Sequence, residues 1–266
     1  MRQRCVMSLA LAVSAVVLSS CIIVEVAEPE GGGGRSGEPF RQTVPLTPGG
    51  TVAVENPHGN IEIRGWEREE VEIVAWWRDW RRARTGARGP GSARPGPDIR
   101  VDAGGDSVKI APRSGPGDAE SPGIDFSLRV PRSVDIRDVA GGEGEVRISD
   151  LFGQVVLDAK EGDVTVENFS GSLDLSALNG DVRAEILDLR GEDVIKINVK
   201  EGDITLGLQE GARLRIEAEA PDGEISSELD LGARLPSGRL NARTAEDGAL
   251  VSLRALGGDI RILKVE

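Results

Sequence analysis

Glycine recurs through the middle of the chain at positions 144, 153, 162, 171, 180, 191, 202, 211 and 223, so a reversal is signalled every nine to twelve residues. Intervals that short leave no room for ordinary helices and predict short strands joined by turns in which glycine supplies the positive φ. After each glycine the apolar residues alternate: Val146 and Ile148, Val155 and Leu157, Val164 and Val166, Leu173 and Leu175, Val182 and Ala184. A period of two is that of a strand with one buried face. Where the interval lengthens, Ile195 with Ile197 and Leu214 with Ile216 keep the alternation, which places the extra residues in the turns.

Two architectures turn the chain at such intervals, a meander of antiparallel hairpins and a parallel solenoid. Hairpins favour two-residue turns such as Asn-Gly, and only Asn179-Gly180 and Asp222-Gly223 have that form. The units also resemble their next-but-one neighbours more than their neighbours: "EGDV" matches "NGDV" and "EGDI", while "FGQV" matches "SGSL". That alternation favours coils of about 18–22 residues with two short faces, each face stacking on its own kind. The expected fold class is therefore all-β, a parallel β-solenoid of the β-helix or β-roll kind. The composition agrees, with 35 glycines, 14 prolines and no tyrosine.

The same grammar extends to both ends, from "GGTVAVENPHGNIEIRG" at 49–65 to "GGDIRIL" at 257–263, so residues 45–266 are read as one domain. Residues 81–97, "RRARTGARGPGSARPGP", lack apolar periodicity and are expected to form a disordered Arg/Gly/Pro loop. At the other end of the chain, Arg2 and Arg4 precede an apolar run from Val6 to Leu18, the pattern of an export signal. The tetrapeptide "LSSC", Leu18–Cys21, resembles the lipobox of bacterial lipoproteins. The resemblance implies a signal peptide over 1–20, lipid on the sulfur of Cys21 and acylation of the new terminus. Cys5 would leave with the signal, so the mature chain has no disulfide partner for any residue. Ile22, following Cys21, lacks the aspartate that retains enterobacterial lipoproteins at the inner membrane, which implies delivery to the outer membrane. Residues 21–44, including "EPEGGGGRSGEP", are expected to be a flexible tether.

The stretches "VENPHGNIEIRG", "FSLRVPRSVDIRDVAGGEGEVRISDLFGQVVLDAKEGDVTVENFSGSLDLSALNGDV" and "LGGDIRIL" resemble a family of bacterial envelope adhesins of unknown function, over about residues 40–266. The resemblance implies a right-handed parallel β-solenoid, an exported location, frequent lipid anchoring and no established enzyme activity. Its motif is specific for turn geometry and says little about a ligand.

Few residues offer chemistry. His58 is the only histidine, so a His/Cys metal site is ruled out and a serine triad would have to use a turn residue. The expected cofactor set is empty. The acidic residues after the glycines, Glu145, Asp163, Asp181, Asp203 and Glu224, should form one outward column if coils stack in chain order. That column suits the turns themselves, and a weak calcium site at Asp163, Asp181 and Asp203 is the sharper alternative. The stretch "WWRDWRRARTGAR" is unusual in a chain with 32 Lys and Arg against 45 Asp and Glu, a formal charge of −13. Trp76, Trp77, Arg78, Trp80, Arg81, Arg82, Arg84 and Arg88 are the candidate binding patch, suited to anionic glycans or other envelope material by arginine pairing and indole stacking. The alternative is that the tryptophans cap an open end of the solenoid. The negative total argues against nucleic acid.

The leading expectation is thus a non-enzymatic envelope lipoprotein, held at the membrane through Cys21, that presents a rigid solenoid for adhesion or binding. A carbohydrate-active β-helix enzyme is a second reading, although aromatic residues to hold sugars are scarce after residue 127. A structural or stress-related envelope factor without a ligand is a third.

Overall fold

In the computed structural model of the chain, residues 35–78, 95–113, 123–231 and 238–265 are described, and every regular element among them is a β-strand. Strands β9 (Val146–Glu161) and β10 (Val164–Asn179) set the plan. Each bends at a corner where Asp150 and Asn168 take φ of 61° and 51°, values that aspartate and asparagine tolerate better than other side chains. The two strands run parallel and in register, Val146 beside Val164 and Val155 beside Leu173, an offset of one 18-residue coil. Their first and second halves belong to two different walls.

The first wall contains eight parallel strands in the order β7 (Ile124–Pro131), β3 (Ile61–Trp66), the first halves of β9 and β10, β11 (Val182–Asp188), β13 (Ile204–Gln209), β18 (Ile260–Val265) and β15 (Ile225–Ser227). The second wall, also parallel, runs β6 (Ser107–Pro112), β2 (Thr51–His58), β8 (Asp135–Glu143), the second halves of β9 and β10, β12 (Val194–Glu201), β17 (Ala249–Ala255) and β14 (Leu214–Glu219). The parallel solenoid expected from the repeat is the fold. Its core is a set of stacked columns. At one register position Ile63, Ile148, Val166, Ala184, Leu206 and Ile262 follow one another, each at most 1% exposed. No single coil could hide such a row; the neighbours above and below do so.

Stacking order departs from chain order at both ends. The coil β2–β3 lies between β6–β7 and β8–β9, and the coil β17–β18 lies between β12–β13 and β14–β15. Both ends of the domain are thereby clamped on two edges instead of one, which suppresses the fraying expected of chain ends. The outermost coils are finished by antiparallel strands. At one end β4 (Glu70–Arg78) lies on β7 and β1 (Arg35–Pro45) on β4, while β5 (Ile99–Gly104) forms a hairpin with β6. At the other, β16 (Arg239–Arg243) lies antiparallel on β14. The single winding sense therefore holds inside the solenoid and gives way at its ends, where a parallel coil edge would otherwise stay open.

Two expected boundaries shift. The tether expected over 21–44 gives way to strand β1 from Arg35 onward, because the backbone of that segment completes the edge of β4. Of the loop expected over 81–97, residues 95–97 pack against the domain: Pro97 is buried, and the indole of Trp77 donates to the carbonyl of Pro95 at 2.9 Å. The expected signal peptide over 1–20, Cys21 and residues 81–94 lie outside the described residues.

Candidate binding surface

The corner after each Gly-x-Val repeat is built by two interlocked ladders. A side chain placed on Gly180 would collide with the carbonyl of Gly162, and one on Gly162 with that of Gly144; both residues also have positive φ. Glycine is required here twice over, for the dihedral and for the close approach of the next coil. The acidic residue that follows does the complementary work. Oδ1 of Asp163 accepts the amide of Asp181 at 2.9 Å, Oδ1 of Asp181 that of Asp203 at 2.9 Å, Oδ1 of Asp203 that of Asp259 at 2.8 Å, and Oδ1 of Asp259 that of Glu224 at 2.9 Å. Asn60 and Asp125 extend the series, with Asn60 accepting from the amide of Glu145 and Asp125 from that of Asn60, each at 2.9 Å.

This is the expected acidic column with one correction: Asp259 stands between Asp203 and Glu224, because β18 is inserted there. Each of Asp163, Asp181 and Asp203 has an oxygen committed to a backbone N–H, and Arg261 takes the outer oxygens of Asp203 and Asp259 at 2.9 and 3.2 Å. No cluster of three or more His, Cys, Asp or Glu side chains suited to a metal ion occurs among the described residues.

Trp76, Trp77 and Arg78 stand on β4, at the end of the first wall. Trp76 lies opposite Asp125 and Trp77 opposite Ile124, so the two indoles fall on opposite faces of the strand. Trp77 packs against the core. The guanidinium of Arg78 pairs with Asp125, Nε to Oδ1 at 2.9 Å, and Asp125 is only 6% exposed. Arg78 thus serves to neutralise a buried carboxylate that also anchors the turn at Asn60. Trp80, Arg81, Arg82, Arg84 and Arg88 lie outside the described residues. Trp66, on the same wall, donates from its indole to the Glu70 carbonyl at 2.8 Å and carries Arg68 and Arg129 at 4.9 and 5.9 Å from its ring centre. Sequence reasoning passed over it because it stands apart from the other three tryptophans. His58, the last residue of β2, meets Glu143, the last of β8, at 3.4 Å, and both side chains are exposed.

The outward face of the first wall carries a regular line of side chains: Glu62, Arg147, Thr165, Arg183, Thr205 and Arg261, one per strand. Strand spacing puts successive arginines about 10 Å apart with a threonine hydroxyl between them. A cavity of about 380 Å³ opens at the corner between the walls, lined by Asp135, Phe152, Ser170, Ser172, Asp188 and Arg190 among others. Its polar groups are largely spoken for: Asp135 receives the amide of Gln154 at 3.1 Å and pairs with Arg137 at 2.9 Å, and Ser172 Oγ receives the amide of Val194 at 3.1 Å. That lining serves the backbone of the corner, and among the described residues no tryptophan lines it.

Residues 50–263 match the family model described as Toastrack DUF4097. No curated protein matches the chain. Among solved structures, the chain is similar to a "putative cell adhesion protein" of Clostridium sporogenes, with 13% identity over 86% of this chain and 100% of the other, at a TM-score of 0.51. A "putative adhesin" of Bacteroides fragilis matches at 12% identity over 87% of this chain and 99% of its own, with a TM-score of 0.34.

Proposed function

We propose, for a chain that belongs to the Toastrack DUF4097 family, that it is a lipid-anchored envelope protein whose solenoid is a rigid, non-catalytic binding surface. The observation that carries this reading is the line Arg147, Thr165, Arg183 and Thr205, which repeats one chemistry at fixed spacing along a hydrogen-bonded wall and ends at Arg261, whose guanidinium is held by Asp203 and Asp259. Such a line fits a partner that is itself repetitive and anionic, because each repeat then meets the same guanidinium and hydroxyl pair and weak contacts add along its length. The segment Trp76–Arg88 belongs to the same reading as a further contact, entered from the β4 end of this wall. Cys21 would hold the protein at the membrane, with an outer-membrane location following from Ile22. The adhesion-protein name of the Clostridium structure is consistent with this role.

The test is co-sedimentation of residues 33–266 with delipidated envelope material, beside an Arg147→Ala/Arg183→Ala variant. Retention of the wild type and loss of the variant are expected; equal retention of both contradicts the reading. Fatty-acid labelling tests the anchor separately, and labelling that survives Cys21→Ala contradicts it.

A further inference from the structure

The second wall carries a surface of another kind. The outward side chains of β12 are Val194, Lys196, Asn198 and Lys200, and those of β17 are Leu250, Ser252, Arg254 and Leu256. Register sets Val194 beside Leu250, Lys196 beside Ser252 and Asn198 beside Arg254. Two adjacent rows without one carboxylate are unusual in a chain whose formal charge is −13. On the next strand, β14, Arg215 lies beside Leu250 and is followed outward by Glu217 and Glu219, while the outward residues of β16 are Arg239, Asn241 and Arg243, with Arg243 beside Arg215. Like charges directly opposite one another weaken a strand pair. Neither guanidinium has an acidic partner among the described residues. The carboxylates nearest these rows pair within the wall, Asp174 with Lys196 at 3.5 Å and Glu219 with Arg239 and Arg254 at 3.7 and 3.9 Å, while Lys200, Arg215 and Arg243 make no ion pair with a described carboxylate.

Apolar exposure concentrates on the same wall. Of the five exposed large hydrophobic residues among those described, Leu178, Val194, Leu250 and Leu256 belong to it, at 43%, 41%, 37% and 37% exposure. Val194 and Leu250 lie at one end of the strands and Leu178 and Leu256 at the other, about 20 Å apart by strand rise, with the cations between and beside them. A soluble polyanion would satisfy the arginines and lysines but leave the aliphatic groups in water. A surface that offers negative charge in a plane with an apolar layer just below it satisfies both.

We propose that this wall, from β10 to β16, is a membrane-facing surface that lies against anionic lipid headgroups, with Leu178, Val194, Leu250 and Leu256 entering the interface and Lys200, Arg215 and Arg243 contacting phosphates. It rests on the anchoring reading only for how the domain reaches a bilayer, and it leaves the first wall turned toward other partners.

The test uses residues 33–266, whose core lies entirely within 44–262. The protein is sedimented with vesicles of equal parts phosphatidylglycerol and phosphatidylcholine, and with vesicles of phosphatidylcholine alone. Binding to the anionic vesicles is expected, with partitioning lowered about thirtyfold by Arg215→Gln/Arg243→Gln and about tenfold by Leu250→Ser/Leu256→Ser. Arg64→Gln/Arg129→Gln, on the other wall and outside the line of Arg147 and Arg183, should bind as the wild type does. Thermal unfolding of each variant verifies that the fold is kept. No binding, equal binding to the neutral vesicles, or equal loss in the first-wall variant overturns the proposal. So does a leucine variant that binds undiminished, which would indicate a purely ionic site, or sedimentation without vesicles, which would indicate self-association. Failure here leaves the first-wall assay and the fatty-acid labelling of Cys21 untouched.

Discussion

The amide of Asp203 donates to Oδ1 of Asp181 at 2.9 Å, joining residues 22 apart in sequence and one coil apart in space. Parallel strands share their ladder hydrogen bonds along the walls, but at a corner the backbone turns away and donors there need another acceptor. The aspartates after Gly162, Gly180, Gly202 and Gly258 supply it.

Replacing that acceptor should therefore be felt. Asp181→Ala is expected to lower the unfolding free energy by about 1 kcal/mol. Asp181→Asn, which keeps an Oδ1 acceptor as Asn60 does earlier in the stack, should cost less than half as much. Urea unfolding of the two variants measures the difference.

Glycines of the two kinds should behave differently. Gly180 and Gly211 both have positive φ, but only Gly180 faces a neighbouring backbone; nothing lies within 4 Å of a side chain added at Gly211. Gly211→Ala should cost about 1 kcal/mol from the dihedral alone, whereas Gly180→Ala must also push neighbouring coils away from each other and should exceed about 3 kcal/mol. Comparable losses in the two variants would contradict the ladder.

The inserted coil makes a truncation informative. Among the described strands, β15 pairs with the wall only through β18, and β14 pairs with the body only through β17. Deleting residues 244–266 should strip hydrogen-exchange protection from β14 as well as removing the deleted strands. Stacking in chain order would leave β14 protected against β12.

A hydrogen bond from Arg213, aided by a backbone hydrogen bond and by the charge of that guanidinium, holds the Asp247 carboxyl below its ordinary 3.8. Its folded pKa being depressed, the pair's contribution is present above the unfolded pKa and is lost as pH falls through the folded one. Both side chains are exposed, so the effect is small and screened by salt. Carboxyl carbon shifts followed by NMR should place the Asp247 midpoint below 3.8 and move it up toward that value in Arg213→Ala, where the backbone hydrogen bond remains.

Much of the interior was legible because a nine-residue interval between glycines permits few structures, and the alternation after Gly144, Gly162 and Gly180 names the buried face. The acidic column followed from the same spacing. The insertion of β17–β18 was not legible, since "GGDIRIL" has the same form as any inner coil and nothing local in it encodes its neighbours. Strand β1 hid in a polar, glycine-rich segment because an edge strand needs backbone hydrogen bonds more than apolar side chains. The corner conformations of Asp150 and Asn168 were masked by the glycines beside them. The basic second wall escaped notice because Lys196, Arg215, Arg243 and Arg254 are scattered among acidic residues in sequence, and only the sheet register gathers them. Conversely, the conspicuous run at Trp76–Arg88 drew attention to Arg78, whose charge is committed to Asp125.

The order of strands in the second wall supports both the fold and the membrane-facing surface, and one cross-linking experiment reads it. Lys196 lies beside Ser252, and Ser252 beside Glu217, on β12, β17 and β14. In residues 33–266, which contain no native cysteine, Lys196→Cys/Ser252→Cys should form a disulfide on mild oxidation, because adjacent strands hold the two positions within bridging distance. Lys196→Cys/Glu217→Cys, separated by a whole strand, should remain reduced. A bridge in the second pair and none in the first would show coils stacked in chain order and would contradict the account.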